Sequence, residues 1–239
     1  VTSGGSIPGG NLYGTATLPR VTSGTYTVTN TRTGASFSLT EDEELPSGTK
    51  LVVDAGRYLR LNGHQLDVGG GLSVTISNTA GDGLILTNPS DVMTVGGSVT
   101  FTTPDYGSSA NSTGNLTAGE LHFRGNLTQS KGYSASGYAL ISTGTKIFFD
   151  GTGTQSVSFS NPGASSSRLH GVEVSNTAGV SLSTSVYVTG RLEVTGGGSI
   201  TGSNIYYTNI LPRVLSGSYT VTNTRTGGSF SLTEDETLP

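Results

Sequence analysis

The feature that most constrains this chain is that it repeats itself at long range. Residues 18–46 read LPRVTSGTYTVTNTRTGASFSLTEDEELP and residues 211–239 read LPRVLSGSYTVTNTRTGGSFSLTEDETLP, identical at 25 of 29 positions with a constant offset of 193. The offset runs back without a gap. Residues 1–17 align with 194–210 at 10 identical positions, so the last 46 residues match the first 46 at 35. Gly, Ser and Thr supply 107 of the 239 residues, but that bias alone does not reproduce the rarer LPR, TNTRTG and LTEDE strings. A fixed long period is the mark of a repeat architecture, in which each unit buries its apolar surface against the next. The chain then divides into the end of a preceding repeat (1–17), one full repeat (18–210) and the start of another (211–239). Within the full repeat, 18–46 is a recurring junction block and 47–210 is the interior. The alternative is a two-copy module around unique sequence. The expectation is a window on a longer tandem array, because Val1 falls inside the repeat phase with no initiator Met or signal peptide.

The local pattern is that of strands. No window of useful length places apolar residues at i, i+3, i+4 and i+7 between good helix formers, and Gly, Thr, Ser and Val all weaken helices. Alternation with period two runs nearly throughout, as in Tyr26/Val28, Leu59/Leu61, Leu66/Val68, Leu72/Val74/Ile76, Val99/Phe101, Leu121/Phe123, Val157/Phe159, Val172/Val174 and Leu192/Val194. Turn residues follow these pairs, including Asn62-Gly63, Gly69-Gly70-Gly71, Asn161-Pro162-Gly163 and Gly196-Gly197-Gly198. The expected fold class is all-β.

Two architectures fit such a chain: an array of β-sandwich domains, or a β-solenoid (parallel β-helix) whose coils each carry two or three short strands. Spacing favours the solenoid. The pairs at 59/61, 66/68 and 72/74 recur every six or seven residues, which predicts coils of about 20 residues. The chain has no Trp and 7% aromatics, which suits a thin interior of stacked aliphatic rows. The Gly strings at 69–71 and 196–198 are expected to be tight turns needing positive φ, since no Lys-Ser/Thr and no helix follows as in a phosphate loop.

The strings LRLNGHQLDVGGGLSVTI, LTAGELHFRGNLTQS and VSLSTSVYVTGRLEVTGGGSITG give residues 45–205 a further meaning. This stretch resembles the β-helical repeat shafts of large bacterial surface proteins, of the filamentous-haemagglutinin and autotransporter-adhesin kind. The resemblance implies a secreted or surface-exposed protein with a structural or adhesive role. The chain departs from the short-repeat members in the 193-residue length of its obvious repeat. The block 18–46 also fits the coil pattern less well, and reads as a separate hairpin or a junction between solenoid segments.

Composition closes several chemical routes. Without Cys, a zinc ribbon, an iron–sulfur cluster or a disulfide scaffold cannot form. A formal charge of −4 with no Lys/Arg run argues against a nucleic-acid partner. No stretch approaches the roughly 18 apolar residues of a membrane span. The acidic run Glu41-Asp42-Glu43-Glu44, repeated as Glu234-Asp235-Glu236, lacks the alternating spacing of a calcium loop and reads as a solvated turn guarding a sheet edge. His64, His122 and His170 lie about 50 residues apart and form no metal-binding pair. Asp54, Asp67, Asp82, Asp91, Asp105, Asp150, Glu120, Glu173 and Glu193 are isolated carboxylates, and two of them brought together from neighbouring coils would make a glycosidase pair. No nucleophile elbow occurs. Asn111, Asn115 and Asn126 match the N-glycosylation triplet, and Tyr133 and Tyr138 sit in a Gly/Ser-rich excursion where they offer stacking surfaces for sugars.

The expectation is therefore a structural repeat unit of an extracellular filament, stalk or surface fibre, with no catalytic, cofactor or metal site and with end-to-end self-association. An adhesin or glycan-binding module on such a shaft is the alternative. A polysaccharide-degrading solenoid is the third reading. An exposed aromatic groove favours binding; a carboxylate pair about 5–10 Å apart in a cleft favours the enzyme.

Overall fold

A computed structural model of the chain describes residues 6–7, 11–12, 25–26, 29–30, 37–77, 82–103, 111–131, 139–207 and 212–225. Among them there is no helix, and every strand pairs in parallel. The fold is a parallel β-helix. Its strands stack into three sheets, each visited once per coil.

Sheet I stacks Glu43–Leu45, Gln65–Val68, Val92–Val95, Glu120–Phe123, Lys146–Phe149, Gly171–Val174, Leu192–Val194 and Arg213–Val214. Sheet II stacks Leu51–Val53, Leu72–Thr75, Val99–Thr102, Leu127–Ser130, Gln155–Phe159 and Val180–Leu182, then the first halves of the long strands Gly198–Tyr207 and Gly217–Arg225. Sheet III is thinner. It runs from Phe37–Ser38 through Tyr58–Arg60 and Gly83–Ile85, continues as single bridges at Leu86, Leu116, Ser142 and Arg168, and ends in Val186–Val188 and the far halves of the two long strands.

The period-two pattern is what builds this. Alternate residues of each rung point inward, and parallel register sets like over like. In sheet I, Leu66, Met93, Leu121, Ile147, Val172 and Leu192 form one column, and Leu45, Val68, Val95, Phe123, Phe149, Val174 and Val194 another. All are at most 2% exposed. At roughly 25 cal/mol per Å² of apolar surface removed from water, such columns are the main source of stability. The outward row of sheet II is mostly hydroxyls instead: Ser73, Thr100, Thr128 and Ser158 stand in register, with Val52 beside Ser73.

Coil length differs from the expectation. Stepping along Glu43, Leu66, Met93, Leu121, Ile147, Val172 and Leu192, successive coils take 23, 27, 28, 26, 25 and 20 residues. The extra residues lie between the sheet II and sheet III strands, and among the described residues 160–167 is such an excursion. At about 25 residues per coil, 193 residues make about eight coils rather than ten. With rungs about 4.8 Å apart the advance is about 38 Å.

The Gly strings also need correction in part. Gly196 and Gly197 do take positive φ, at 56° and 77°. Gly69, Gly70 and Gly71 do not. They lie where coil corners stack in direct backbone contact: a Cβ on Gly69 would sit 2.7 Å from the Pro46 carbonyl carbon, and one on Gly97 would sit 2.8 Å from that of Gly70. Gly125 stacks on Gly97 in turn. The requirement is close approach between coils, not a left-handed backbone. The junction block is described only in part, and there its strands Thr25–Tyr26 and Thr29–Asn30 pair in parallel, as coil rungs do.

Corner packing of this kind sets an expected contrast. Gly97→Ala should lower stability by about 1–3 kcal/mol through overpacking. Gly153→Ala, whose Cβ meets nothing within 4 Å, should be neutral or slightly stabilising. Urea unfolding of the two variants checks this.

Candidate functional site

Chemistry-bearing side chains collect on the outer face of sheet I. Parallel register brings Glu44, Asp67, Thr94, His122, Phe148, Glu173, Glu193 and Arg213 into one row, with Glu120 and Lys146 beside it. Contacts within a rung and contacts between coils combine in this ladder. His122 Nδ1 lies 2.8 Å from Asp150 Oδ2, and its Nε2 lies 3.4 Å from Glu120 Oε2. The imidazole stacks on Phe148 with centroids 4.3 Å apart and planes 3° from parallel. Lys146 Nζ sits 4.7 Å from the centre of the same ring. It donates to Glu173 Oε2 at 2.7 Å and approaches Glu193 Oε2 at 3.9 Å. Arg213 meets Glu193 at 3.8 Å, and Thr195 Oγ1 donates to Glu173 Oε1 at 2.9 Å.

The electrostatics follow from these contacts. The Asp150 hydrogen bond raises the His122 pKa above the ordinary imidazole value; burial works against it, and Glu120 adds to the rise. Burial pushes the Glu173 carboxyl up, but Lys146, the Thr195 hydroxyl and a smaller effect of His122 together hold it below the usual range. Both ring nitrogens of His122 face carboxylates, so the ladder favours an imidazolium. That form has no lone pair with which to take a proton. Glu173 and Glu193 are register partners, and like charges so placed repel unless a cation lies between them. Lys146 is that cation. The ladder is thus a set of electrostatic cross-links from coil to coil.

A second polar feature lies toward the N-terminal end of the same face. Glu44 and Asp67, on adjacent rungs in register, share a groove of about 320 Å³ with Gln65, Thr94 and Arg124. Gln65 Nε2 donates to Asp67 Oδ2 at 3.1 Å. Both carboxylates extend from one flat sheet on the same side. A glycosidase instead needs its pair to flank the scissile bond.

The remaining sequence candidates have separate partners. The acidic run is divided by strand alternation: Glu43 turns inward and is 9% exposed, while Glu44 turns out. Asp42 accepts from the Gln65 backbone N–H at 2.9 Å, which, with His64 nearby, lowers its pKa. Among the described residues no group of three or more acidic, His or Cys side chains is placed to hold a metal ion. His170 contacts Thr189 Oγ1, far along the chain from His122 and His64. Asp82 ties the Gly56 and Ser77 backbone, and Asp91, fully buried, accepts from the N–H groups of Gly63, Thr87 and Asn88 at 2.6, 2.8 and 2.9 Å. Asp54 sits in the turn closed by Arg57 N–H onto its carbonyl. Asn111 and Asn126 are exposed, whereas Asn115 is 4% exposed and donates to the Asp82 carbonyl. Asp105, Tyr133, Tyr138 and Glu234–Glu236 lie outside the described residues.

Three polar residues that the sequence did not single out organise the interior. Gln155, 1% exposed, donates to the carbonyls of Phe123 and Gly125 at 2.7 Å and accepts from Asn176 Nδ2 at 2.7 Å. Asn176 in turn caps the Ala178 and Gly179 N–H groups. Gln129 accepts from the Asn161 N–H. Their partners lie 21 to 32 residues away, one coil up or down.

No family model matches the chain, and none of the curated proteins or solved structures compared with it matches.

The ladder gives stability a defined pH response. The raised His122 pKa means its stabilisation is fully present below about pH 6.5, the unfolded value, and is lost as pH rises through the folded value. The lowered Glu173 pKa means its stabilisation is present above about pH 4.5 and is lost as pH falls through its folded value. His122→Gln should therefore flatten the alkaline side of a stability-against-pH curve from urea unfolding, and Glu173→Gln the acidic side. Wild-type slopes in both variants would contradict the ladder.

Proposed function

We propose that this chain is the structural repeat of an extracellular fibre or surface stalk, which gains length by adding coils rather than by enlarging a core. The observation that carries the reading is the return of register. Ser6 pairs with Thr25, Ile7 with Tyr26 and Leu12 with Asn30; 193 residues later Ser199 pairs with Ser218, Ile200 with Tyr219 and Ile205 with Asn223. A chain that comes back to its own pairing after one period accepts further copies without a change of cross-section.

Strand Gly217–Arg225 lies on Gly198–Tyr207 in parallel register, and a rung of like sequence would continue the stack by the same pairing. Such a rung comes either from the next repeat of one chain or from the beginning of a neighbouring subunit. Such a head-to-tail contact does not close on itself, so it propagates as a filament. Leu215, in this last coil, is 63% exposed, and Thr22 occupies the equivalent place in the first copy. The hydroxyl-rich exterior and the absence of Cys suit exposure outside the cell, where no reducing compartment protects thiols.

The reading is tested by length. Chains extended by one and by two further 193-residue periods should lengthen by about 38 Å per period in small-angle scattering, at constant cross-section. Compact beads joined by flexible segments would contradict it.

A further inference from the structure

We propose that Asn62 is a modification site: it converts to aspartate or isoaspartate when the coil on either side is lost, and stays an amide while both are stacked. Asn62-Gly63 is the one Asn-Gly step in the 239 residues. Such a step is the most labile an Asn can make, because glycine carries no Cβ to shield its own nitrogen. The Gly63 nitrogen attacks the Asn62 side-chain carbonyl carbon. The N–Cγ bond forms, the Cγ–Nδ2 bond breaks, and ammonia leaves with the proton that Gly63 gave up. Water then opens the succinimide at one carbonyl or the other, giving aspartate or a backbone rerouted through the side chain.

The step occupies the corner between sheets III and I. The His64 N–H donates to the Leu61 carbonyl at 3.1 Å, and Asn62 and Gly63 both take positive φ, at 58° and 89°. Asn62 is exposed, so water reaches it and burial gives it no protection. Hydrogen bonds do, and a different coil holds each reacting group. Asn62 Nδ2 donates to the Leu39 carbonyl at 3.2 Å, one coil below. The Gly63 N–H donates to Asp91 Oδ1 at 2.6 Å, one coil above. Asp91 is fully buried, and its other oxygen accepts from the Thr87 and Asn88 N–H groups, which fix its position. Attack requires the Gly63 nitrogen to shed its proton, and an amide anion beside a buried carboxylate is opposed by charge repulsion. It also requires the Asn62 side chain to leave Leu39.

Conversion runs one way. Aspartate at position 62 has no N–H for the Leu39 carbonyl and sets a carboxylate against it. Isoaspartate adds a methylene to the backbone of a turn whose span the rungs above and below fix. A coil that has reacted is therefore hindered from restacking in register. Every contact involved lies between residues 39 and 91, so the site does not depend on fibre formation.

The test follows Asn62 by peptide mass mapping while the full 239-residue chain ages in warm, mildly alkaline buffer, either folded or unfolded in guanidinium chloride. Unfolded, Asn62 should deamidate before any other Asn. Folded, it should react at least about tenfold more slowly, through local opening alone. Asp91→Asn removes the charge that faces the Gly63 N–H and should raise the folded rate about tenfold or more. Glu173→Gln weakens coils distant from the turn and should leave the rate unchanged. Hydrogen exchange of the wild-type Gly63 N–H needs no variant and should be slowed as well, since it requires the same opening. Each proposed element can fail separately. Equal folded and unfolded rates, a folded Asp91→Asn chain with the wild-type rate, a faster rate in Glu173→Gln, or a freely exchanging Gly63 N–H would each overturn the proposal.

Discussion

The parallel hydrogen-bonded rung is the interaction on which the rest of the molecule depends. Each strand both donates to and accepts from the coil on either side, alternate residues serving alternate neighbours, at a spacing of about 4.8 Å. That spacing is fixed by the backbone, and side chains must fit it. Inward positions become continuous aliphatic columns, and outward positions become ladders. Where corners touch, as at Gly70, Gly97 and Gly125, even a methyl group is too large. A core only a few side chains wide is enough, because each coil contributes its apolar surface to both neighbours rather than to one shared centre.

The same constraint determines what the outer surfaces can do. On sheet I it sets charges directly above charges, so alternation of sign becomes a structural need. Lys146 between Glu173 and Glu193, and His122 between Glu120 and Asp150, meet it. On sheet II the outer row is neutral hydroxyls and has no repulsion to relieve. Variation is admitted at the corner between sheets II and III, where an excursion lengthens a coil without disturbing the rungs above and below. The 160–167 excursion is one of these.

Much of the fold was legible in the sequence because the inward columns are written as period-two alternation. Leu66/Val68, Leu121/Phe123 and Val172/Val174 could be placed without coordinates. The coil length was less legible. The regular coils at Val172–Leu192 take the expected 20 residues, but excursions carry no periodic signal and lengthen the others. The charged ladder was hidden for a related reason. His122 and Asp150, or Lys146 and Glu173, are partners only once the coil length is known, since 28 and 27 residues separate them. Asp91 read as an isolated carboxylate and Gln155 was not singled out, yet both satisfy backbone groups of adjacent coils. The tyrosines suggested as stacking surfaces, Tyr133 and Tyr138, lie outside the described residues.

Register is thus the central claim, and the absence of Cys allows it to be measured directly. Thr100 and Thr128 are outward register partners on adjacent rungs of sheet II, and Ser158 is one rung further. Neighbouring rungs place Cα atoms within the range a disulfide spans, and two rungs exceed it. Under mild oxidation the Thr100→Cys/Thr128→Cys chain should form an internal disulfide, and Thr100→Cys/Ser158→Cys should not. Failure of the first pair to close, or equal closure of both, would contradict the stacked parallel register.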